Sequence, residues 1–166
     1  MGNSLNTCSI VNNWGDVESL ANYIDPRYDN IEIILNKEEI LTGVGLVRPI
    51  DGNLQGILII IDLQDNLAIY HERFIVEHNY LETSFVKQLN EHILLEPFHM
   101  YKIRVFYEGS NTYTYKEHQE MIRYRKCDIE VRKTPDKYLE GNTKQTNMIT
   151  SLQFERIWKS PCCYKA

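Results

Sequence analysis

Apolar and polar residues alternate along most of this chain, a pattern that predicts β-strands. The strand-like runs are rich in β-branched residues and are bounded by Gly, Asn or Asp, as antiparallel strands usually are. We expect residues 41–76 to form a β-meander with turns at 51–53 and 64–66. Within 121–133 the apolar phase shifts near Arg125 and Lys126, which indicates a β-bulge or a short turn. In chain order the predicted strands are 31–35, 41–50, 54–63, 67–76, 100–108, 112–115, 121–133 and 148–158.

Two segments have the apolar spacing of amphipathic helices. The first runs from Asp16, a suitable N-cap, to Pro26, which cannot continue a helix. In the second, Asn79 and Glu82 have the spacing of a capping box. Apolar residues then recur every four positions, at Leu81, Phe85, Leu89 and Ile93. The sequence therefore predicts an α+β fold, a mainly antiparallel β-sheet (meander or sandwich-like) packed with two amphipathic helices.

The length of 166 residues predicts a single domain covering 1–166. We expect a flexible loop near 134–147, which carries Pro135, Gly141 and many polar residues, and frayed termini. No apolar run approaches the roughly 20 residues that span a bilayer, and no secretory signal opens the chain. Neither the N-terminal glycine nor the C-terminal cysteines complete a lipidation motif. These features favour a cytoplasmic protein with no integral membrane association.

Charge is unevenly distributed along the chain, whose formal net charge is −5. Residues 1–100 contain 5 Lys and Arg against 15 Asp and Glu, whereas residues 101–166 contain 13 against 8. The folded protein therefore has either one acidic and one basic face or two interleaved halves whose charges cancel. An acidic surface would steer the protein towards a basic partner.

No motif for catalysis or cofactor binding occurs in the sequence. The chain lacks a Gly-x-Ser-x-Gly elbow, a phosphate-binding loop and a zinc-binding spacing of Cys and His. Cys127 lies in a predicted strand beside Lys126, and a half-buried inert thiol is the favoured interpretation. We therefore predict no catalytic residue, no metal and no cofactor. The five histidines, interpreted as surface or satisfied polar residues, are His71, His78, His92, His99 and His118.

Two sets of residues are candidates for macromolecular binding. The first is a basic and aromatic stretch in which cations could meet phosphates and tyrosines could stack on unpaired bases. It comprises Tyr113, Tyr115, Arg123, Tyr124, Arg125, Lys126 and Arg132. The second is one side of the strand 100–108, where Arg104 and Phe106 alternate with Tyr101, Ile103, Val105 and Tyr107. Arg and Phe are enriched in protein–protein interfaces.

These observations favour a small non-catalytic intracellular binding protein, such as an inhibitor, an immunity protein or a host-interaction factor. Its expected partner is a macromolecule, most plausibly a protein. One alternative is a nucleic-acid-binding or nucleotide-binding protein that uses the basic and aromatic strand around 122–133. Another alternative is an enzyme of unidentified class that uses Cys127 or a histidine.

Overall fold

The computed structural model describes residues 6–11, 17–19, 27–115, 121–124, 129–132, 144–145 and 148–156. Every regular element in these ranges is a strand. The predicted α+β fold with two helices is therefore wrong, and the described part of the chain is all-β. The strands are β1 Asn6–Val11, β2 Val17–Ser19, β3 Arg27–Leu35, β4 Glu39–Val47, β5 Asn53–Asp62, β6 Leu67–Glu77, β7 Ser84–Leu95, β8 Met100–Gly109, β9 Tyr113–Tyr115, β10 Met121–Tyr124, β11 Ile129–Arg132, β12 Lys144–Gln145 and β13 Ile149–Arg156.

The long strands form two sheets. The smaller sheet has the order β1-β13-β4-β7, and the larger has the order β10-β11-β3-β8-β5-β6. The pairs within these two orders are antiparallel, whereas the short β12 pairs with β3 in parallel and β2 pairs separately with β9. Apolar side chains from both sheets belong to one buried core, so the sheets form a β-sandwich. Core members with no exposed surface include Leu46, Leu58 and Ile103.

The second predicted helix is strand β7, which pairs with β4. Residues four positions apart lie on the same side of a strand as well as on one face of a helix. The spacing of Phe85, Leu89 and Ile93 therefore fits both structures, and pairing with β4 selects the strand. The expected capping box is a turn, in which the side-chain Oδ1 of Asn79 accepts the Leu81 N–H at 2.8 Å.

The first predicted helix also contains a strand. Val17–Ser19 pairs antiparallel with Tyr113–Tyr115 as β2 and β9. The other residues of that predicted helix, 16 and 20–25, lie outside the described residues. A three-residue strand is too short for hydrophobic periodicity to identify, since one helical turn has the same apolar spacing.

The predicted meander over 41–76 is only half correct. The turn after β5 does connect two antiparallel neighbours, β5 and β6, and Asn66 adopts a positive φ of 55° there. In contrast, β4 and β5 belong to different sheets, so the turn at 51–53 crosses from one sheet to the other. β4 pairs instead with β7 and β13, which is a pairing that turn residues cannot specify.

Two buried charged residues on β3 connect distant parts of the sandwich. The Asp29 carboxylate accepts the backbone N–H groups of Met148 and Ile149 at 2.7 and 2.8 Å, at the start of β13. The Arg27 guanidinium donates to the carbonyls of Gly109 and Ser110 at 3.1 and 2.9 Å, at the end of β8. Both side chains are fully buried. Asp29 therefore joins the larger sheet to the smaller one, and Arg27 fixes the chain where it leaves β8.

A polar cluster closes the sandwich between the edge strands β6 and β7. The Glu72 carboxylate contacts the Lys87 ammonium and accepts the Tyr70 hydroxyl, and the Tyr70 oxygen accepts the Asn90 N–H at 2.9 Å. Burial and the bond to Glu72 raise the pKa of Tyr70 to about 12. Burial alone would raise the pKa of Glu72, but the hydrogen bonds from Lys87 and Tyr70 outweigh it and lower that pKa. The two sheets are thus held together at this edge by one ionised carboxylate.

Replacing Asp29 with Ala should strongly destabilise the protein, because two buried N–H groups lose their acceptor. Each such group costs about 1–3 kcal/mol when left unpaired. Urea unfolding of Asp29→Ala should therefore show a loss of at least about 2 kcal/mol. Asp65→Ala, at an exposed turn, is the control and should change stability by less than about 0.5 kcal/mol. Equal stability of the two variants would contradict the assigned role of Asp29.

The Glu72 cluster should make stability depend on acidic pH. The pKa of Glu72 is lowered in the folded protein, so its ionised carboxylate adds to the free energy of unfolding. This stabilisation is complete above the pKa of Glu in the unfolded chain, about 4.3, and is lost as the pH falls through the lower pKa of Glu72 in the folded protein. Glu72→Gln should therefore flatten the urea-midpoint curve between pH 3 and 5. Glu38→Gln, at an exposed position, should leave the curve unchanged. A Glu72→Gln curve parallel to that of the wild type would show that the carboxylate is not stabilised by folding.

Candidate interaction surface

Strand β8 separates its side chains into a buried and an outward-facing row, as its alternating sequence predicts. Ile103 and Val105 are completely buried in the core, whereas Lys102, Arg104 and Phe106 are half-buried on the opposite side. The Arg104 guanidinium lies 5.9 Å from the centre of the Phe106 ring, within the range of a cation–π interaction. The two residues selected from the sequence on this strand therefore contact each other on the outer side of the larger sheet.

The pairing register extends this row across the neighbouring strands. Residues directly opposite each other in an antiparallel pair face the same side of the sheet. Phe106 lies opposite Ile57 on β5, and Ile57 lies opposite Arg73 on β6. In the next row, Arg104 on β8 lies opposite Ile59 on β5, and Ile59 lies opposite His71 on β6. We define the outer face as the outward-facing side chains of β5, β6 and β8, which are Gln55, Ile57, Ile59, Ile61, Ala68, His71, Arg73, Ile75, Glu77, Lys102, Arg104, Phe106 and Glu108.

The outer face is open towards β6, the last strand of the larger sheet. Ile75 on this strand is 69% exposed, and its outward neighbours Ala68, His71 and Arg73 are also exposed. On the other side of β8 the face is covered, since Tyr28 and Asn30 of β3 are buried. A mixture of exposed aliphatic side chains and arginines on a regular sheet is unusual for a surface that contacts only water.

A groove of about 540 Å³ lies in the outer face, within the size range of ligand-binding clefts. A second depression of about 390 Å³ shares Gln55, Ile75 and Glu108 with it. Within the described part of the chain, the side chains of Arg73 and Glu108 form no hydrogen bond or ion pair. The groove thus combines apolar walls with a cation and an anion that are available to a ligand. The outward-facing residues that line it are Gln55, Ile57, Arg73, Ile75, Phe106 and Glu108.

The other predicted binding residues are distributed over several parts of the fold. Arg132 is exposed on β11, and the register places it opposite Glu32, which in turn is opposite Lys102. Arg132 therefore lies on the same side of the sheet as Arg104, two strands away. Tyr113 packs against the core, and its N–H donates to the Arg48 carbonyl at 3.1 Å. Tyr115 is in β9, which pairs with β2 and not with the larger sheet.

The basic stretch around 122–133 is divided between two strands. Arg123 and Tyr124 belong to β10, which pairs antiparallel with β11, so the break that the apolar phase predicted near Arg125 is confirmed. Arg125 and Lys126 lie outside the described residues. The stretch is therefore an antiparallel arm at the far edge of the larger sheet, beyond β3, and not one continuous strand.

Sequence reasoning missed the β5 and β6 residues of the groove. The alternation of β6 did place Arg73 and Ile75 on one side of the strand, and the structure confirms this. However, the alternation could not show that this side is exposed while the other is buried. The order β8-β5-β6 brings Arg73 to Phe106, and this order depends on contacts between distant parts of the chain.

The histidines in the described part of the chain belong to different elements, with His71 on β6, His92 on β7, His78 after β6 and His99 before β8. The most contacted is His99, whose ring nitrogens lie 3.3 Å from Asp62 and 3.3 Å from Glu96 and whose ring stacks on Tyr101. Burial raises the pKa of the Tyr101 hydroxyl, which accepts the Glu96 N–H. Among the described residues, no group of three or more His, Cys, Asp or Glu side chains is arranged to hold a metal ion. Cys127 and His118 lie outside those residues.

No protein-family model matches the chain, and no curated protein matches it either. Among solved structures, the chain is similar to a chain in the structure of the infectious bursal disease virus Gt strain. The TM-score is 0.31 and the identity is 12%, and the match covers 93% of this chain and 38% of the viral chain. A chain in the structure of the Gx strain is similar with a TM-score of 0.32 and 10% identity, and that match covers 94% of this chain and 37% of the viral chain. The chain thus spans less than two fifths of the chains that it matches, and a likeness at this level carries no argument about function.

The described residues also contain no helix that is long and apolar enough to span a bilayer.

On the core side of the sheet, behind the groove, packing of the Phe74 ring depends on a glycine of β5. A Cβ atom at Gly56 would lie 2.4 Å from the Phe74 ring, which itself packs edge-on against Tyr107. Gly56→Ala should therefore displace this ring and cost about 1–3 kcal/mol, measured by urea unfolding. The neighbouring exposed Gln55→Ala is the control and should cost less than about 0.5 kcal/mol. A stable Gly56→Ala variant would show that the ring moves freely.

Proposed function

We propose that this protein is a non-catalytic binding protein, of the inhibitor, immunity or host-interaction type, and that it binds a protein partner through the outer face. The observation that carries this proposal is the groove, where the apolar side chains of Ile57, Ile75 and Phe106 lie beside Arg73. Buried aromatic and arginine residues supply much of the binding energy in protein–protein interfaces, and apolar neighbours exclude water around them.

The rigidity of the outer face supports this role. β5 is paired along its whole length with β6 on one side and β8 on the other. The backbone of a strand paired on both sides is fixed before a partner arrives, so no backbone conformational entropy is lost there on binding. A sheet surface with a groove can therefore act as a preformed binding site.

Charge indicates the kind of protein surface that fits. The outer face carries Arg73, Lys102 and Arg104 together with the acidic residues Glu77 and Glu108. Lys102 is partly neutralised by Glu32 at 3.7 Å, whereas Arg73 has no ion pair among the described residues. The complementary surface would present apolar side chains, with an Asp or Glu to meet Arg73 and a Lys or Arg to meet Glu108.

Nucleic-acid binding is the second candidate, favoured by the contact of Arg104 with Phe106 and by Arg132 on the same side of the sheet. Single-stranded nucleic acids, however, bind mainly by stacking bases on aromatic rings. The outer face presents isoleucines at Ile57, Ile59, Ile61 and Ile75, which provide apolar area without a flat ring. This composition favours a protein partner.

The test is affinity capture from cells of the source organism with the full chain and two variants. Ile75→Asp places a carboxylate in the groove, and Leu94→Asp makes the same change on β7, where the side chain is 50% exposed. A partner captured by the wild type and by Leu94→Asp should be lost with Ile75→Asp, with at least a tenfold drop in affinity, about 1.4 kcal/mol.

Thermal unfolding must show that both variants remain folded. Equal capture by Ile75→Asp and Leu94→Asp would exclude the groove as the binding site. An absorbance ratio at 260 and 280 nm that falls only after a high-salt wash would identify the bound partner as nucleic acid and overturn the proposal.

A further inference from the structure

The turn between β6 and β7 exposes two large apolar side chains at its tip. Tyr80 is 90% exposed and Leu81 is 92% exposed, which makes them the most exposed large hydrophobic residues in the described ranges. A scattered apolar residue on a surface needs no explanation, but an adjacent tyrosine and leucine at one tip form a compact apolar projection. We call residues 80 and 81 the apolar tip.

The segment that carries the apolar tip is fixed at both ends. At its start the His78 N–H donates to the Gly52 carbonyl at 3.0 Å, and at its end the Arg48 N–H donates to the Thr83 carbonyl at 2.8 Å. The Asn79 side chain accepts the Leu81 N–H within the turn. The edge of the His78 ring packs on the Tyr80 ring with a centroid distance of 4.8 Å. The tip is therefore held in place and does not need to be ordered by a partner.

Acidic residues are adjacent to the segment that carries the apolar tip. Glu77 and Glu82 flank it in the chain, and Asp51 lies beside Gly52, to which His78 is bonded; all three are exposed. The nearby Arg48 side chain is 18% exposed and lies 3.5 Å from Glu82, so it is already paired. An apolar projection with an acidic rim is repelled by anionic lipid surfaces and complements an apolar pocket bordered by Lys or Arg.

The apolar tip and the groove lie at the same end of the sandwich. In the pairing register, Glu77 at the end of β6 is opposite Asn53, and the neighbouring Leu54 is opposite Gly109. Asn53, Leu54 and Gly109 line the second depression, which is continuous with the groove through shared residues. One partner of ordinary size could therefore contact both features.

We infer that Tyr80 and Leu81 are a second contact element, which inserts into an apolar pocket bordered by basic residues on the protein partner. This inference rests on the proposed function, because it assumes that the partner is a protein. Tyrosine is favoured at such positions because it supplies a large contact area with few rotatable bonds.

The experiment places the photo-crosslinking residue p-benzoylphenylalanine in the full chain at position 80, 75 or 98. Position 75 reports on the groove. Phe98 is the matched control, since it is an exposed aromatic residue, 71% exposed, in the turn at the other end of β7. Irradiation in an extract of the source cells should cross-link the same protein to positions 80 and 75, at least tenfold more than to position 98. The peptide of the partner attached to position 80 should contain apolar residues flanked by Lys or Arg.

Two changes test the acidic rim without altering the apolar tip. Glu77→Gln and Asp51→Asn together should reduce cross-linking from position 80 at least threefold at low salt, and this difference should shrink at high salt. Sedimentation with neutral and with phosphatidylserine vesicles should leave the protein in the supernatant.

The outcomes separate the two proposals. Cross-linking from position 75 but not from 80 would overturn the second contact element and leave the proposed function standing. Cross-linking from neither position would overturn both. Tyr80-dependent binding to either kind of vesicle, or a position-80 peptide without basic residues, would overturn the assignment of a basic protein pocket.

Discussion

The arrangement of the two sheets depends on the hydrogen bonds accepted by the buried carboxylate of Asp29. Asp29 lies on β3 in the larger sheet and accepts two backbone N–H groups where β13 begins in the smaller sheet. Both donors are buried, so separating the sheets at this point would cost the free energy of two hydrogen bonds to a carboxylate. Two residues earlier, Arg27 holds the chain at the end of β8. One short segment of β3 thus fixes the positions of two other strands, β8 and β13.

The candidate interaction surface follows from this arrangement. Because the core is closed between the sheets, the opposite side of β5, β6 and β8 is free to carry apolar side chains that contribute little to folding. The Glu72 cluster ties β6 to β7, so the edge strand that bears Arg73 and Ile75 is held against the smaller sheet. A partner would therefore meet a surface whose shape is set by the fold, with Phe106 and Ile57 at the base of the groove.

Much of the strand content could be predicted from the sequence, because alternation is a local property. The outward position of Arg104 and Phe106, the turn before β6 and the break near Arg125 all followed from residues within a few positions of each other. The helix predicted after Asn79 was wrong because a period of four residues satisfies a strand as well as a helix. Only the pairing of β7 with β4 resolves this ambiguity, and it joins distant residues such as Phe85 and Leu46, about forty positions apart.

The groove could not be predicted for the same reason. Arg73 and Phe106 are separated by more than thirty residues, and they share a surface only because β5 lies between β6 and β8. No local pattern shows that Ile75 is exposed while Val76, its neighbour, is buried. Strand order and exposure are properties of the whole fold, whereas charge and periodicity are properties of the chain.

Native-state amide hydrogen exchange would test the central claim, that Asp29 joins the sheets, most directly. If this bond persists until the whole molecule unfolds, the amides of Met148 and Ile149 should exchange only with the free energy of global unfolding. They should match core amides such as those of Ile103 and Val105. Exchange of Met148 and Ile149 at the rate of exposed turn amides, such as Asp65, would show that β13 opens separately and would contradict this account.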